Sequence, residues 1–60
     1  HEGLVGETGH TSSDLAPEGK VFVHGEIWLA RSDSGPVATD TPVRVTGVDR
    51  LRLIVEPLER

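Results

Sequence analysis

Few residues in this chain have the types to do chemistry, and their spacing points away from catalysis. Ser13 stands beside Asp14, with His10 just before and His24 further on, so a Ser/His/Asp relay can be drawn from these residues. A nucleophilic serine of that kind sits on a sharp strand-to-helix turn among small residues. Neither Ser12 nor Ser13 has such surroundings. The run Ser12-Ser13-Asp14 instead suits a strand end, where short polar side chains bond the nearby main chain. His1, His10 and His24 lie nine and fourteen residues apart, which fits no short metal-ligand motif. No catalytic residue, metal ligand or cofactor site is therefore expected.

The remaining candidates are groups that touch rather than transform. A lone tryptophan on a strand, Trp28, is either an interface anchor or the lid of a small core, and burial is the favoured reading. Phe22 is the only other aromatic; if it shares a surface with Trp28, the two make an apolar docking patch. Arg44 and Arg52, with Arg31, form a possible basic strip for phosphate, lipid headgroups or an acidic partner. The plainer reading is a solvated strand face with Glu26 or Glu56 nearby, and it is preferred. Phe22, Trp28, Arg44 and Arg52 are the candidate partner contacts.

Such residues must be positioned by very little chain. Sixty residues allow one domain, here spanning 1–60. There is no cysteine, so disulfides and thiolate zinc sites are excluded. No apolar run approaches the roughly 18–20 residues that cross a bilayer. The opening His1-Glu2-Gly3 has no initiator methionine, which suggests a piece excised from a longer chain. Ten carboxylates face six basic groups, one of them Lys20 and the rest arginine. That balance, with one Phe, one Trp and no Tyr, argues against a nucleic-acid binder.

Helical periodicity is missing and strand alternation is frequent. The stretch from Leu4 to Leu15 is rich in Gly and Thr, with Val5 and Leu15 as its best apolar anchors, and it ends in the turn signal Pro17-Glu18-Gly19. In Lys20–His24, Val21 and Val23 share one face and Phe22 takes the other. In Glu26–Arg31, Ile27 and Leu29 share one face, with Glu26, Trp28 and Ala30 on the other. A sharp turn at His24-Gly25 joins the two segments. Ser32–Thr41 is a polar gap holding Pro36, and Asp40 suits a left-handed turn position.

The last two strands, within Pro42–Pro57, form a hairpin whose register can be deduced. A two-residue loop at Asp49-Arg50 would put Val45 opposite Ile54 and turn the aliphatic set outward. A three-residue loop, Val48-Asp49-Arg50, sets Val45 against Leu53 and Val43 against Val55, with Arg44 opposite Ile54 and Thr46 opposite Arg52. This loop requires a left-handed residue near its end, at Arg50. Five short strands with turn signals between them predict an all-β fold, a small five-stranded antiparallel barrel.

Several stretches resemble a known family. Gly3-Leu4-Val5-Gly6-Glu7-Thr8-Gly9, Ser13-Asp14-Leu15-Ala16-Pro17-Glu18-Gly19-Lys20-Val21, His24-Gly25-Glu26-Ile27-Trp28-Leu29-Ala30-Arg31-Ser32 and Thr41-Pro42-Val43-Arg44-Val45-Thr46-Gly47-Val48, with Leu51 to Leu58, are similar to the C-terminal domain of NfeD proteins. The family usually carries Gly where Asp40 and Arg50 stand. The resemblance implies a five-stranded OB-like barrel without the usual OB helix, since Ser32–Thr41 leaves no room for one. It implies a membrane-anchored parent with this domain in solution, on the cytoplasmic side, and in long members a ClpP-class serine protease domain. The implied partners are a stomatin-like (SPFH-type) membrane protein or the membrane protease.

Because the related proteases resemble a Ser–Lys type, Lys20 merits a check; as the first residue after a turn glycine it reads as an exposed surface lysine. The leading expectation is a non-catalytic protein-interaction module. The rivals are an oligonucleotide-binding OB-type module, opposed by the acidic charge, and a structural domain that self-associates through a strand edge.

Overall fold

The computed structural model describes residues 2–58. After a 3₁₀ turn at Glu2–Leu4 come five strands: β1 (Thr8–Thr11), β2 (Glu18–Val23), β3 (Glu26–Ser32), β4 (Pro42–Asp49) and β5 (Arg52–Pro57). They close in the order β1-β2-β3-β5-β4. Four seams are antiparallel; the β3–β5 seam is parallel, and it is short, pairing only Ala30–Ser32 with Leu53–Val55. The expected five-stranded barrel is thus present and no helix occupies residues 33–41, but it is not antiparallel throughout: β3 and β5 run the same way because the 33–41 segment and β4 carry the chain back between them.

Alternation puts Val21 and Val23 of β2, Ala30 of β3, Val43 and Val45 of β4, and Leu53 and Val55 of β5 inside the cylinder. Each such aliphatic contributes about 1.5–3 kcal/mol by leaving water, except the smaller Ala30. β1 supplies little apolar mass. Its Gly9 lets β1 cross closely over β2: a methyl group there would run into the Phe22 carbonyl oxygen and within 2.7 Å of the Val23 side chain.

Both ends of the cylinder are plugged by loop residues together with side chains from the strand ends. At one end Leu15 and Val37 exchange two main-chain hydrogen bonds, of 2.8 and 2.9 Å, and both are buried. The buried Thr11 ties the neighbouring loop down, its hydroxyl donating to the Ala38 carbonyl (2.6 Å) and accepting from the Thr41 amide (2.8 Å). Ser32, also buried, donates to the Gly35 carbonyl (2.7 Å) and accepts from the Ser34 amide. At the other end sit Leu4 and the half-buried Trp28. The apolar anchor of the first segment is therefore Leu4, not Val5, which is 51% exposed. The 3₁₀ turn rolls Leu4 inward, and the Gly6 amide, bonded to the Val45 carbonyl, fixes that entry.

The β4–β5 hairpin departs from the deduced register. Val45 pairs with Val55, Val43 with Pro57 and Arg44 with Glu56. The turn is two residues, Arg50-Leu51, and a bulge at Thr46 shifts the register so that Gly47 pairs with Ile54 and Val48 with Leu53. A two-residue turn alone would set inward residues against outward ones. The extra residue of the bulge restores the match. Val43, Val45, Leu53 and Val55 face inward as expected, but Leu51, which alternation puts on the same face, falls in the turn and is exposed, and every cross-strand partner moves. Arg50, at φ +63°, and Asp40, at φ +69°, both adopt the left-handed conformation.

Candidate functional site

The groups that might have formed a relay are dispersed and occupied. The Ser13 hydroxyl donates to the Asp14 carbonyl (3.2 Å) and accepts from the Lys20 main-chain amide (3.0 Å). Ser13 and Lys20 thus adjoin through main chain, not through the lysine ammonium. The Asp14 carboxylate accepts from both the hydroxyl (2.7 Å) and the amide (2.9 Å) of Thr39. Those two bonds stabilise its ionised form and hold its pKa below the ordinary value of 3.8. His10 leans on the Phe22 ring, with ring centres 5.4 Å apart. His24 lies at the far end of β2, 3.3 Å from Glu7. Among the described residues no three His, Cys, Asp or Glu side chains converge as a metal site; His1 lies outside them.

The arginines do not make a basic strip. Arg52 is paired with Glu18 across the outer wall. Arg31 lies 3.2 Å from Asp33 and 3.9 Å from Asp49. Arg44 faces Glu56 in the β4–β5 register. Cations and carboxylates alternate on this wall, which leaves little net field for an anionic polymer.

The outer wall of β2 and β3 is different. Phe22 pairs with Ile27 and Lys20 with Leu29, while His10 of β1 pairs with Phe22 from the other side. Phe22 is 37% exposed, and Ile27 and Leu29 are each 54% exposed. Three large apolar side chains thus stand together in water, with Lys20 among them. Trp28 is not one of them. It pairs with Val21 on the inner face, and its indole N–H donates to the Val23 carbonyl (3.1 Å). The shared Phe22–Trp28 surface considered above does not exist; the companions of Phe22 are Ile27 and Leu29. A signal for this was in the sequence. A two-residue turn at His24-Gly25 pairs Val23 with Glu26 and so sends Trp28 inward. Trp28 instead lines a groove of about 330 Å³ with Leu4, His24 and Glu26, at the less tightly closed end of the barrel. A second groove of about 320 Å³ runs beside Lys20, Leu29 and Arg52.

A closed cylinder of five strands, plugged by loops and bare of side-chain relays, defines a small all-β barrel domain with OB-like strand order. Within that class the chain belongs to the family of NfeD-like C-terminal, partner-binding domains, which it matches over residues 1–57. It is 42% identical over 55 residues to a membrane-bound protease of Pyrococcus horikoshii, a match covering 90% of this chain and 12% of that protein. The chain therefore spans about an eighth of the length of that relative. Its fold is similar to the C-terminal domain of a stomatin operon partner protein from Pyrococcus horikoshii, with TM-score 0.94 and 38% identity, covering 98% of this chain and 94% of the other. It is also similar to the soluble domain of a Corynebacterium glutamicum membrane protein implicated in regulation of membrane protease activity, with TM-score 0.83, 32% identity and 90% coverage of both chains. No helix among the described residues is long and apolar enough to cross a membrane.

Proposed function

We propose that this barrel is a non-catalytic protein-interaction domain of a longer, membrane-anchored parent, and that its docking surface is the outer wall of β2 and β3. The observation that carries this reading is the cluster of Phe22, Ile27 and Leu29, which water faces although the core is otherwise complete. Clustered exposed apolar side chains on so small a domain usually mark a contact site. Of the four residues singled out from the sequence, Phe22 remains a contact. Trp28 contributes through its groove, and Arg44 and Arg52 serve as a charged rim. The partner we favour is a stomatin-like (SPFH-type) membrane protein or a membrane-bound serine protease, on the cytoplasmic side. The family and the relatives named above support the kind of partner.

The test is co-isolation from membranes of the full-length parent with its SPFH-type neighbour. Replacing Phe22, Ile27 and Leu29 together by Ser should abolish retention of the partner while the barrel still unfolds cooperatively. Unchanged retention would remove the β2–β3 wall from the interface.

A further inference from the structure

The β2–β3 wall ends in an incomplete seam. The turn residues His24 and Gly25 both have positive φ, +56° and +77°, which defines a two-residue hairpin turn of type I′. In such a turn the flanking pair, Val23 and Glu26, shares hydrogen bonds, and the pattern then alternates along the ladder. Trp28 bonds to Val21, so the N–H and C=O of the intervening Ile27 point away from β2. On that side β5 pairs with β3 only from Ala30 onward. The β3–β5 register gives Ile27 no partner there, and the parallel bridge at Ala30–Leu53 engages the Leu29 carbonyl but not its N–H. The main-chain groups left over on Glu26–Leu29, the Ile27 N–H and C=O and the Leu29 N–H, therefore form a short strand edge.

Exposed edges are normally guarded by charged side chains, above all lysine, by proline or by a bulge. This one has a single guard, Glu26, at its end; the residues after it are Ile27, Trp28 and Leu29. Its two faces differ in chemistry. Outward it offers Ile27 and Leu29, beside Phe22. On the opposite side the Trp28 indole and the Glu26 carboxylate line the same groove. Glu26 has no cationic group within 4.0 Å among the described residues.

We propose that this edge takes up an extended segment of the partner as an added strand. That segment is aliphatic on the face that meets Ile27 and Leu29, and it places a Lys or Arg side chain in the groove of Trp28 and Glu26. The proposal rests on the partner-binding reading and says how the partner is held. Strand addition draws its affinity from main-chain hydrogen bonds and its selectivity from alternate side chains; here the Ile27 N–H and C=O and the Leu29 N–H supply the first, and the two faces of the strand supply the second. A cation over an indole face beside a free carboxylate is favoured twice, by the ring and by the charge. A second copy of this chain is the weaker occupant. Three exposed side chains fall far short of the roughly 800 Å² per partner that a stable dimer buries. Each copy also carries a net charge of −4 and would bring its own Glu26 to the seam.

The probe is a blocked heptapeptide in which Val alternates with Thr and the central Thr is replaced by Arg, titrated into the isotope-labelled chain. Binding should slow hydrogen exchange at the Ile27 amide and shift the Trp28 indole N–H signal. Methylating the peptide nitrogens that face β3 should abolish both effects. Replacing the peptide Arg by Glu should weaken binding about tenfold, and the Glu26→Lys variant should reverse that preference. Strand addition is overturned if millimolar peptide leaves Ile27 exchange unchanged, or if the methylated peptide binds equally well. A parent that keeps its SPFH-type partner while the peptide fails would retain the interaction reading and lose this mode. Peptide held at the edge by a parent that retains no SPFH-type protein would do the reverse.

Discussion

At one end of the barrel Leu15 and Val37 are locked by reciprocal main-chain bonds, and the polar side chains around them, Thr11, Ser32 and Asp14, each bond two groups of the crossing loops. At the other end Leu4 and Trp28 fill the mouth incompletely and leave a groove beside an unpaired length of strand. Both ends answer the same need, to keep water out of a cylinder too short to seal itself. The first is closed by groups whose hydrogen bonds are all made within the chain. The second keeps main-chain and side-chain valences turned to solvent. A domain this small has a few kcal/mol of net stability. It can leave one end unfinished only because the other is firmly tied.

Five substitutions, the last of them read against pH, would break or sharpen that contrast. The largest effect belongs to Leu15→Ala, which empties the sealed end and should cost about 3 kcal/mol or more, read as the drop in the urea midpoint. Leu29→Ser, on the exposed wall, should stay within about 0.5 kcal/mol of the parent chain in the same assay. Equal losses at both sites would erase the distinction between scaffold and surface. Next comes Thr11→Val, which strands the Thr41 amide and the Ala38 carbonyl in a buried place and should cost about 2 kcal/mol.

Trp28→Phe removes the indole bond to Val23 and part of the ring packing, at a mouth that is already part open, so about 1–2 kcal/mol is expected from thermal unfolding. A loss matching that of Leu15→Ala would mean the open end is as critical as the closed one. The smallest effect is acid-dependent. Asp14 binds a proton less readily in the folded chain than in the unfolded one. Its contribution is therefore complete above the unfolded pKa near 3.8 and is lost as pH falls through the lower folded value. The melting temperatures of the parent chain and Asp14→Asn should differ near neutral pH and converge in strong acid. A gap that stays constant across that range would show that the carboxylate charge has no part in tying Thr39.

Much of this was legible in the residues. Strict alternation of Val and Leu named the inward faces, and the absence of helical periodicity with five turn-bounded runs named the barrel. Asp40 and Arg50 were readable as left-handed turn positions, and both have positive φ. What escaped were features set by geometry between strands. The Thr46 bulge solves a parity problem that a longer loop would solve equally well on paper, so the pattern alone could not choose. Leu4 rather than Val5 turns inward because a single 3₁₀ turn intervenes, and three residues carry no periodic signal. The exposed apolar wall of β2 and β3 was missed through one pairing. Ile27 and Leu29 have the composition of a core, and only the turn at His24-Gly25 says that they face water.

The seam between β1 and β4 has a temporal meaning. It joins Thr8, Gly9 and His10 to Arg44, Val43 and Pro42, residues more than thirty positions apart in the chain. No neighbouring contact can hold these two strands together early, and the loss of chain entropy must be met before the last hydrogen bonds form. Folding should therefore be slow for a molecule of this size, on the order of milliseconds to seconds rather than microseconds.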